Sequence, residues 1–494
     1  MRGHTIIISL VAVFSLSACM MGPNYQRPDV PPAEAWRLSP GTSESIANLP
    51  WWDLLRDETL QGLIRTSLAE NLDLRVAVAT IEQYQAQFTI ARFDLAPSVN
   101  ATGTGAFFHN TSHAIGIPVP GSGALSLPSG MRSGGTDFGS EFGGVGVRWE
   151  IDVWGRIRRS IEAAQAQLLG QRENQRMIVI GLVSHVAQAY FELRALDFQI
   201  EITKRTLKAW EESVAISRIR FQHGDIPKLD LNQFEAERAS TAAQLADLEQ
   251  QAVQKENLLS VLLGHRPMSI PRGASLTEQI MPPEVPAGLP SDLLQRRPDI
   301  LMAEQDLAAA TANIGVAEAQ RFPAVSLTGN VGVSALQLTG FAAQGPFGTF
   351  GALGSISAPL LNATALGYQV KATEAKMRQA LAAYQRTILS AFQDVENALI
   401  AVQKGREKRV AQEQQVEALQ SALAFSMQRY QGGRASYLDV LTAQRNLFTA
   451  ELARADTRRA QLTSMVQLYK ALGGGWSPDE PHGAARSIAV SHMN

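Results

Sequence analysis

The sequence is poor in cysteine and in charge, and these absences exclude several classes of protein. Cys19 is the only cysteine of the chain, which excludes an intrachain disulfide and a cysteine-rich zinc framework. Lysine and arginine total 44 against 46 for aspartate and glutamate, and the net charge of -2 argues against a nucleic-acid partner. His109 and His113 lie close together, but their Gly/Pro-rich surroundings predict no helix that would join them in a metal site. We expect neither a metal nor a cofactor.

The N-terminus predicts export and a lipid anchor. Residues 1–18 fit a signal peptide, because the apolar run 6–18 is shorter than the ~20 residues of a membrane helix. Residues 16–19, LSAC, resemble the bacterial lipobox, so Cys19 is expected to become the lipidated first residue of a segment 19–58. The alternative is an ordinary signal peptide with a chance cysteine. No later segment has the uninterrupted apolar length of a transmembrane helix.

Proline is absent from two long stretches, 129–226 and 360–477, and these are where long helices can form. In the first, apolar residues recur every seven positions, which predicts a left-handed supercoil against partner helices. This heptad stripe consists of Val179, Val186, Leu193, Ile200, Leu207, Val214 and Phe221. The pattern predicts long helical hairpins over 155–264 and 364–473, too long for a compact globular domain.

The chain contains two copies of one unit. A shift of 226 residues superposes Asp73 and Pro97 on Asp299 and Pro323, and a shift of 209 matches the later motifs. The matches at the second shift include Arg220 with Arg429, Gly224 with Gly433, Asp230 with Asp439 and Gly264 with Gly473. The predicted divisions are repeat 1 at 59–275, a linker at 276–296, repeat 2 at 297–475 and a tail at 476–494.

Each copy carries two Gly-rich, loosely alternating segments before its long hairpin, at 97–107 and 142–152, and at 323–333 and 347–357. Each has the length of a transmembrane β-strand, although four ordinary short strands would also fit. The insert between the first two segments is predicted to be a loop. Four strands cannot close a barrel, so a water-filled pore needs at least three chains and twelve strands. The sequence therefore predicts a homotrimer with one shared barrel.

Four motifs, in this order on a twofold repeat, resemble the outer-membrane efflux protein family of TolC-type channels, in particular its NodT-like lipoprotein subgroup. They are CMMGPNY at 19–25, WEIDVWG at 149–155, LLQRRPDI at 293–300 and YKALGGGW at 469–476. The resemblance implies a mainly α fold with a twelve-stranded outer-membrane barrel, continuous with a long periplasmic α-helical barrel. It also implies docking to a periplasmic adaptor and an inner-membrane pump, most often of the resistance-nodulation-division (RND) type, with export of drugs and toxic compounds.

Function in such a channel is expected at the narrowest point, where the hairpin tips meet. The resemblance places the periplasmic gate near Tyr430 and at aspartates of the following helix, here Asp439. We expect the other gate residues of the two tips to be Arg434, Phe221, Asp225 and Asp230. Contact with the adaptor is expected at Gly224, Gln431, Gly432 and Gly433. A ring of carboxylates favours cations, but Asp230 and Asp439 could equally serve only to stabilise helix starts.

Three other functions compete with small-molecule efflux. A conduit for protein secretion would use the same channel architecture. A lipid-anchored coiled-coil spacer explains Cys19 and the heptads but not the four strands. A surface enzyme would need a nucleophile, base or metal constellation, and no such group converges in the sequence, so we expect no enzyme.

Overall fold

The computed structural model describes residues 20–30, 36–37, 56–110, 116–119, 122–126, 136–279, 290–338, 344–432 and 434–474. Four of the features predicted from sequence lie outside these residues. They are the signal peptide 1–18, the lipidation site Cys19, the tip residue Gly433 and the tail 476–494.

Eight helices are found in the described residues, and three of them, including the two longest, lie within the two proline-free stretches. Their bounds are α1 Glu58–Glu70, α2 Leu72–Phe93, α3 Arg156–Gln222, α4 Lys228–Leu262, α5 Leu293–Arg296, α6 Pro298–Ala319, α7 Ala363–Gln431 and α8 Tyr437–Ala471. The longest, α3 and α7, have 67 and 69 residues, so each is about 100 Å long at 1.5 Å per residue. None of the helices in this part of the chain has the length and apolar character needed to cross a membrane.

Six strands are found in the described residues, and they extend beyond the segments predicted from sequence. Their bounds are β1 Ser98–Asn110, β2 Gly116–Val119, β3 Ser122–Ser126, β4 Thr136–Ile151, β5 Ala324–Leu338 and β6 Gln344–Ser357. The prediction of a plain loop between β1 and β4 was wrong, because β2 and β3 pair there as an antiparallel hairpin. The ends of the strands were not predicted, because they are polar and Gly-rich and such residues also favour loops.

The described residues divide into two compact units, and each unit draws on both repeats. The first comprises Tyr84–Leu168 and Asp306–Ala380 with the described residues up to Gln26, and it contains the main sheet. The second comprises Arg27–Gln83, Leu169–Gln305 and the described residues from Leu381. A sequence repeat in this chain is therefore not a separate compact domain.

The core of the second unit buries the middle of the predicted heptad stripe. Val186 and Leu193 are fully buried and Val214 is nearly so, whereas Phe221 at the end of α3 is 38% exposed. The main apolar cluster of this unit joins α3 to α1, α4, α7 and α8. The seven-residue period thus predicted the packing face of α3 correctly along its middle.

Both repeats use the same contact to hold the end of their second long helix. In repeat 1, Asn71 donates from Nδ2 to the Leu262 carbonyl oxygen at 2.9 Å. In repeat 2, the equivalent side chain, Arg297, donates from Nη1 to the Ala471 carbonyl oxygen at 3.0 Å. Arg297 is only 8% exposed and also pairs with Asp299. The arginine motif before α6 is therefore structural.

Candidate functional site: the sheet and the hairpin tips

The first candidate site is the four-stranded antiparallel sheet of the first unit, with strand order β1-β4-β5-β6. Its register places residues in cross-strand rows, so each row shares one face of the sheet. One row joins Val99 to Val147 and Gly329, and the next joins Ser98 to Arg148 and Thr328. The alternation along these rows separates an apolar face from a polar face.

The apolar face is a continuous band of aliphatic and aromatic side chains. Val331 is 60% exposed, Ile356 74% and Phe350 91%, which are large exposures for such residues in a soluble protein. Along β5 the band runs from Val325 to Val333, about 27 Å of strand, matching the ~9 to 11 residues of a transmembrane strand. Its larger members are Val99, Val145, Val147, Trp149, Ile151, Val325, Leu327, Val331, Val333, Phe350 and Ile356.

The opposite face is mainly polar and rich in glycine, and its large apolar members include Phe142, Phe347 and Leu353. Ser326 and Ser355 hydrogen-bond across β5 and β6 at 2.7 Å. The charged residues Arg148 and Glu150 lie at the end of β4 that leads into α3. Other polar members are Ser98, Asn100, Thr102, Thr104, Thr328, Asn330, Ser334 and Thr349. A sheet with one apolar and one polar face suits a barrel wall between lipid and water.

The passage from strand to helix is held by tryptophan and aspartate side chains. Trp149 donates from Nε1 to the Leu95 carbonyl oxygen at 2.9 Å, and Trp154 stacks on Phe322 with ring centroids 4.8 Å apart. Asp152 accepts the backbone N–H groups of Ile157 and Arg158, both at 3.0 Å. The carboxylate therefore satisfies free donors at the start of α3, where the helix dipole also favours a negative charge.

The chain just after Cys19 is fixed to this same junction. Met21 donates its N–H to the Trp154 carbonyl oxygen at 3.1 Å. Arg159, only 1% exposed, donates to the carbonyl oxygens of Met21 and Gly22 at 3.0 and 2.9 Å. Gly22 must be glycine, because its φ is +82° and a Cβ would lie 2.4 Å from Gly315 Cα. The residues next to the predicted lipidation site are thus firmly placed beside the sheet.

The second candidate site is the pair of hairpin tips in the second unit. In the first tip, Asp225 donates its N–H to the Arg220 carbonyl oxygen at 2.9 Å, and Gly224 has a φ of +80°. Pro227 precedes α4 and gives no side-chain cap. Phe221 and Asp225 are exposed and Asp230 is half-buried.

The second tip has nearly the same backbone but a different chemistry. Arg434 donates its N–H to the Arg429 carbonyl oxygen at 2.8 Å, as Asp225 does in the first tip. Asp439 accepts both the N–H and the hydroxyl of Ser436, at 2.9 and 3.0 Å, so it caps the start of α8. The described tip residues Gln431 and Gly432 are exposed, as the predicted adaptor contact requires.

Aromatic side chains from α3, α4, α7 and α8 join the two hairpins behind their tips. The rings of Phe234 and Tyr437 have centroids 3.7 Å apart, and Tyr430 meets Tyr437 edge-on at 5.8 Å. Arg220 donates from Nη1 to the Tyr430 hydroxyl at 2.6 Å, with its guanidinium over the same ring. Further from the tips, Arg205 of α3 pairs with a buried Glu451 of α8 at 2.6 Å.

Sequence reasoning predicted Tyr430 but missed its partners Arg220, Phe234 and Tyr437. Tyr437 is 8% exposed, and burial raises the pKa of its hydroxyl well above the usual range. That hydroxyl has no hydrogen-bond partner among the described residues. The comparison of the two repeats contained a signal for these residues. Tyr430 and Tyr437 replace Phe221 and Lys228 of repeat 1, so the second tip has two hydroxyl-bearing rings that the first lacks.

Comparison with known proteins agrees with this architecture. Residues 63–265 and 289–474 match the family described as "Outer membrane efflux protein". The chain is 37% identical to the probable efflux pump outer membrane protein TtgC of Pseudomonas putida, and 94% of each chain is covered. It is 30% identical to the cation efflux system protein CusC of Escherichia coli over 95% of this chain and 98% of the other.

A solved structure shows the same fold. The open state of the MtrE outer membrane channel of Neisseria gonorrhoeae superposes with a TM-score of 0.77 at 31% identity, covering 93% of this chain and 99% of that one. The fold is therefore that of a TolC-type outer-membrane channel. The chain belongs to the outer membrane efflux protein family and is the outer-membrane channel component of an efflux system.

Proposed function

We propose that three copies of this chain close one twelve-stranded barrel and form the exit duct of a tripartite efflux system. The observation that carries this proposal is the amphipathic sheet with β1 and β6 at its edges. An edge strand presents unpaired backbone groups, and within a bilayer these groups need a partner. Pairing β6 of one copy with β1 of the next satisfies both edges and encloses the polar face. The proposal assigns no catalytic chemistry to the chain.

Crosslinking and conductance together test this assembly. Crosslinking of the purified full chain should stop at three copies, and planar bilayers should show one conductance step for three chains. A stable monomer with full conductance would contradict the proposal. The expected conductance step would also exclude the lipid-anchored spacer, since a spacer conducts no current.

The proposed partners are a periplasmic adaptor and an inner-membrane pump of the RND type, with small molecules as cargo. The support is that TtgC and CusC are named as components of efflux systems and that the exposed tips, including Gly224 and Gln431, leave a surface free for an adaptor. The alternative is a conduit for secreted proteins. Deleting the gene should raise sensitivity to small toxic compounds without loss of any secreted protein; the reverse outcome favours the secretion conduit.

The proposed gate lies at the hairpin tips, with Arg220 and Tyr430 as its central contact. The 2.6 Å hydrogen bond between them ties hairpin 1 to hairpin 2 in one chain, so the six tips of a trimer would move as three pairs. Phe221, Asp225, Asp230, Arg434 and Asp439 would line the opening as rings. Tyr430→Phe removes the acceptor and should make cells more permeable to large antibiotics, whereas unchanged permeability would place the constriction elsewhere.

We also propose that Cys19 carries the lipid anchor. Its support is the lipobox and the fixed path of Met21 and Gly22 beside the sheet. Labelled palmitate should enter the wild-type chain and not Cys19→Ser. Labelling of both would contradict the anchor. Conductance should survive the substitution, because the barrel also holds the protein in the membrane.

A further inference from the structure

The polar face of the sheet carries two phenylalanines in one cross-strand row. Phe142 of β4 pairs with Ser334 of β5, and Ser334 pairs with Phe347 of β6. Thr104 of β1 completes the row. The two rings therefore share a face with a small hydroxyl side chain between them. We call Phe142, Ser334 and Phe347 the aromatic row.

The two rings are held differently. A Cβ on Gly144 would lie 2.8 Å from Phe142 Cζ, and a Cβ on Gly332 would lie 3.0 Å from Phe142 Cε2. The Phe142 ring thus lies over two bare glycines, close against the sheet, and does not stand away from it. Phe347 is 46% exposed on the same face. One ring is fixed by the sheet and the other remains available for contact.

The aromatic row lies in the half of the sheet remote from the long helices, and β4 continues beyond Phe142 to Thr136. Phe142 is separated from Ile151, at the helix end of β4, by about 30 Å of strand. The row beneath it contains Thr102 and Thr349 with two glycines, and carries no charge. In an outer-membrane barrel continuous with periplasmic helices, this is the outer half of the pore.

We propose that the aromatic row is a contact site for transported solutes that carry an aromatic ring, an inference that rests on the pore proposed above. On the inner face of a closed barrel, only water and passing solutes reach an exposed ring such as Phe347. Two strand spacings, about 10 Å, separate the backbones that carry Phe142 and Phe347, and Ser334 between them is small, which leaves room for a flat ring. Aromatic rings attract each other in offset or edge-on geometry. The uncharged surroundings make the site select for ring shape and not for charge.

Current block in single trimers tests the site. Benzyltrimethylammonium is applied from the outer side, with its cyclohexylmethyl analogue as the saturated probe of equal charge. In the wild type the aromatic probe should block at a roughly 2- to 10-fold lower concentration. Phe347→Leu should abolish that difference, while Phe350→Leu, on the apolar face of the same strand, should preserve it. An equal response to both probes in the wild type, or a preference that survives Phe347→Leu, would overturn the inference.

Thiol labelling tests the placement without conductance. Cells that express Phe347→Cys should react with a membrane-impermeant methanethiosulfonate added outside, and cells that express Phe350→Cys should not. The wild-type chain, whose one cysteine is Cys19, gives the background. Labelling of Phe350→Cys alone would mean that the faces are reversed and would remove the site together with the pore geometry. Labelling of Phe347→Cys alone, with no difference in block, would leave the pore and overturn only the aromatic contact.

Discussion

The two hairpin tips have the same backbone and different side chains, and the difference indicates a division of labour. Pro227 and Ser436 precede their helices with φ of -73° and -74° and ψ of 156° and 157°. The second tip adds a cap, through Asp439, and a tyrosine that Arg220 of hairpin 1 contacts, Tyr430. The two tips thus share one backbone conformation, but only the tip of hairpin 2 carries the capping aspartate and the tyrosine that joins the two hairpins.

The contacts of Asn71 and Arg297 with the ends of α4 and α8 also differ between the repeats, and substitution of Arg297 should give the largest effect. Arg297→Ala leaves Asp299, Asp394 and a buried carbonyl without their donor, so we expect a loss of about 3 kcal/mol in the free energy of unfolding. Asn71→Ala removes one neutral hydrogen bond and should cost about 1 kcal/mol. Thermal unfolding in detergent, followed by circular dichroism, measures both, and equal losses would contradict the assignment.

Substitution of the glycines that follow α4 and α8 should have its larger effect in repeat 1, the opposite of the order expected for Asn71 and Arg297. Gly264 and Gly473 have φ of +79° and +68°, so alanine is strained at both by about 1 kcal/mol. A Cβ on Gly264 would also lie 2.4 Å from the Glu70 carbonyl oxygen, against 3.3 Å from the Arg296 carbonyl oxygen for Gly473. Gly264→Ala should therefore lower the melting temperature further, and a larger drop for Gly473→Ala would contradict this account.

Substitution of the carboxylates of the two tips should show which of them caps the start of its helix. Asp439→Ala removes the acceptor of two hydrogen bonds at Ser436 and should destabilise the start of α8 by about 1 kcal/mol. Asp230 lies in the first turn of α4, after a proline that gives no side-chain cap. Asp230→Ala should therefore lower the stability of this helix start by only a few tenths of a kcal/mol, through the helix dipole alone. Amide hydrogen exchange at the two tips distinguishes these outcomes. Equal exchange rates in both variants would show that the cap is unimportant.

The buried Tyr437 hydroxyl should produce the smallest effect at neutral pH. Tyr437→Phe removes a polar group without a partner among the described residues and should stabilise the protein by up to about 1 kcal/mol. Burial raises the pKa of Tyr437, so the folded phenol stays protonated where the unfolded one ionises. The wild type should therefore lose stability above about pH 10, and the advantage of the phenylalanine variant should grow there. A constant difference across pH would contradict this linkage.

The sequence predicted most of the fold because its signals are local. Proline spacing and heptads placed the first hairpin at 155–264, and the structure has Arg156–Gln222 and Lys228–Leu262. Strand ends were missed because Gly-rich residues also favour turns. The contact between Arg220 and Tyr430 was also missed, since it joins residues 210 positions apart and depends on how two supercoiled hairpins pack. Neither residue type at either position indicates such a partner by itself.

Single-channel recording tests the central claim, that the bond between the two hairpins of one chain controls opening. The purified full chain is compared with Arg220→Ala and with Arg429→Ala, the repeat counterpart, which donates to the Arg434 carbonyl oxygen of its own tip. Arg220→Ala should raise the open probability of the isolated channel severalfold, because a few kcal/mol suffices to hold a closed state. Arg429→Ala should leave the open probability near the wild-type value. An unchanged open probability in Arg220→Ala, or an equal rise in both variants, would contradict the claim.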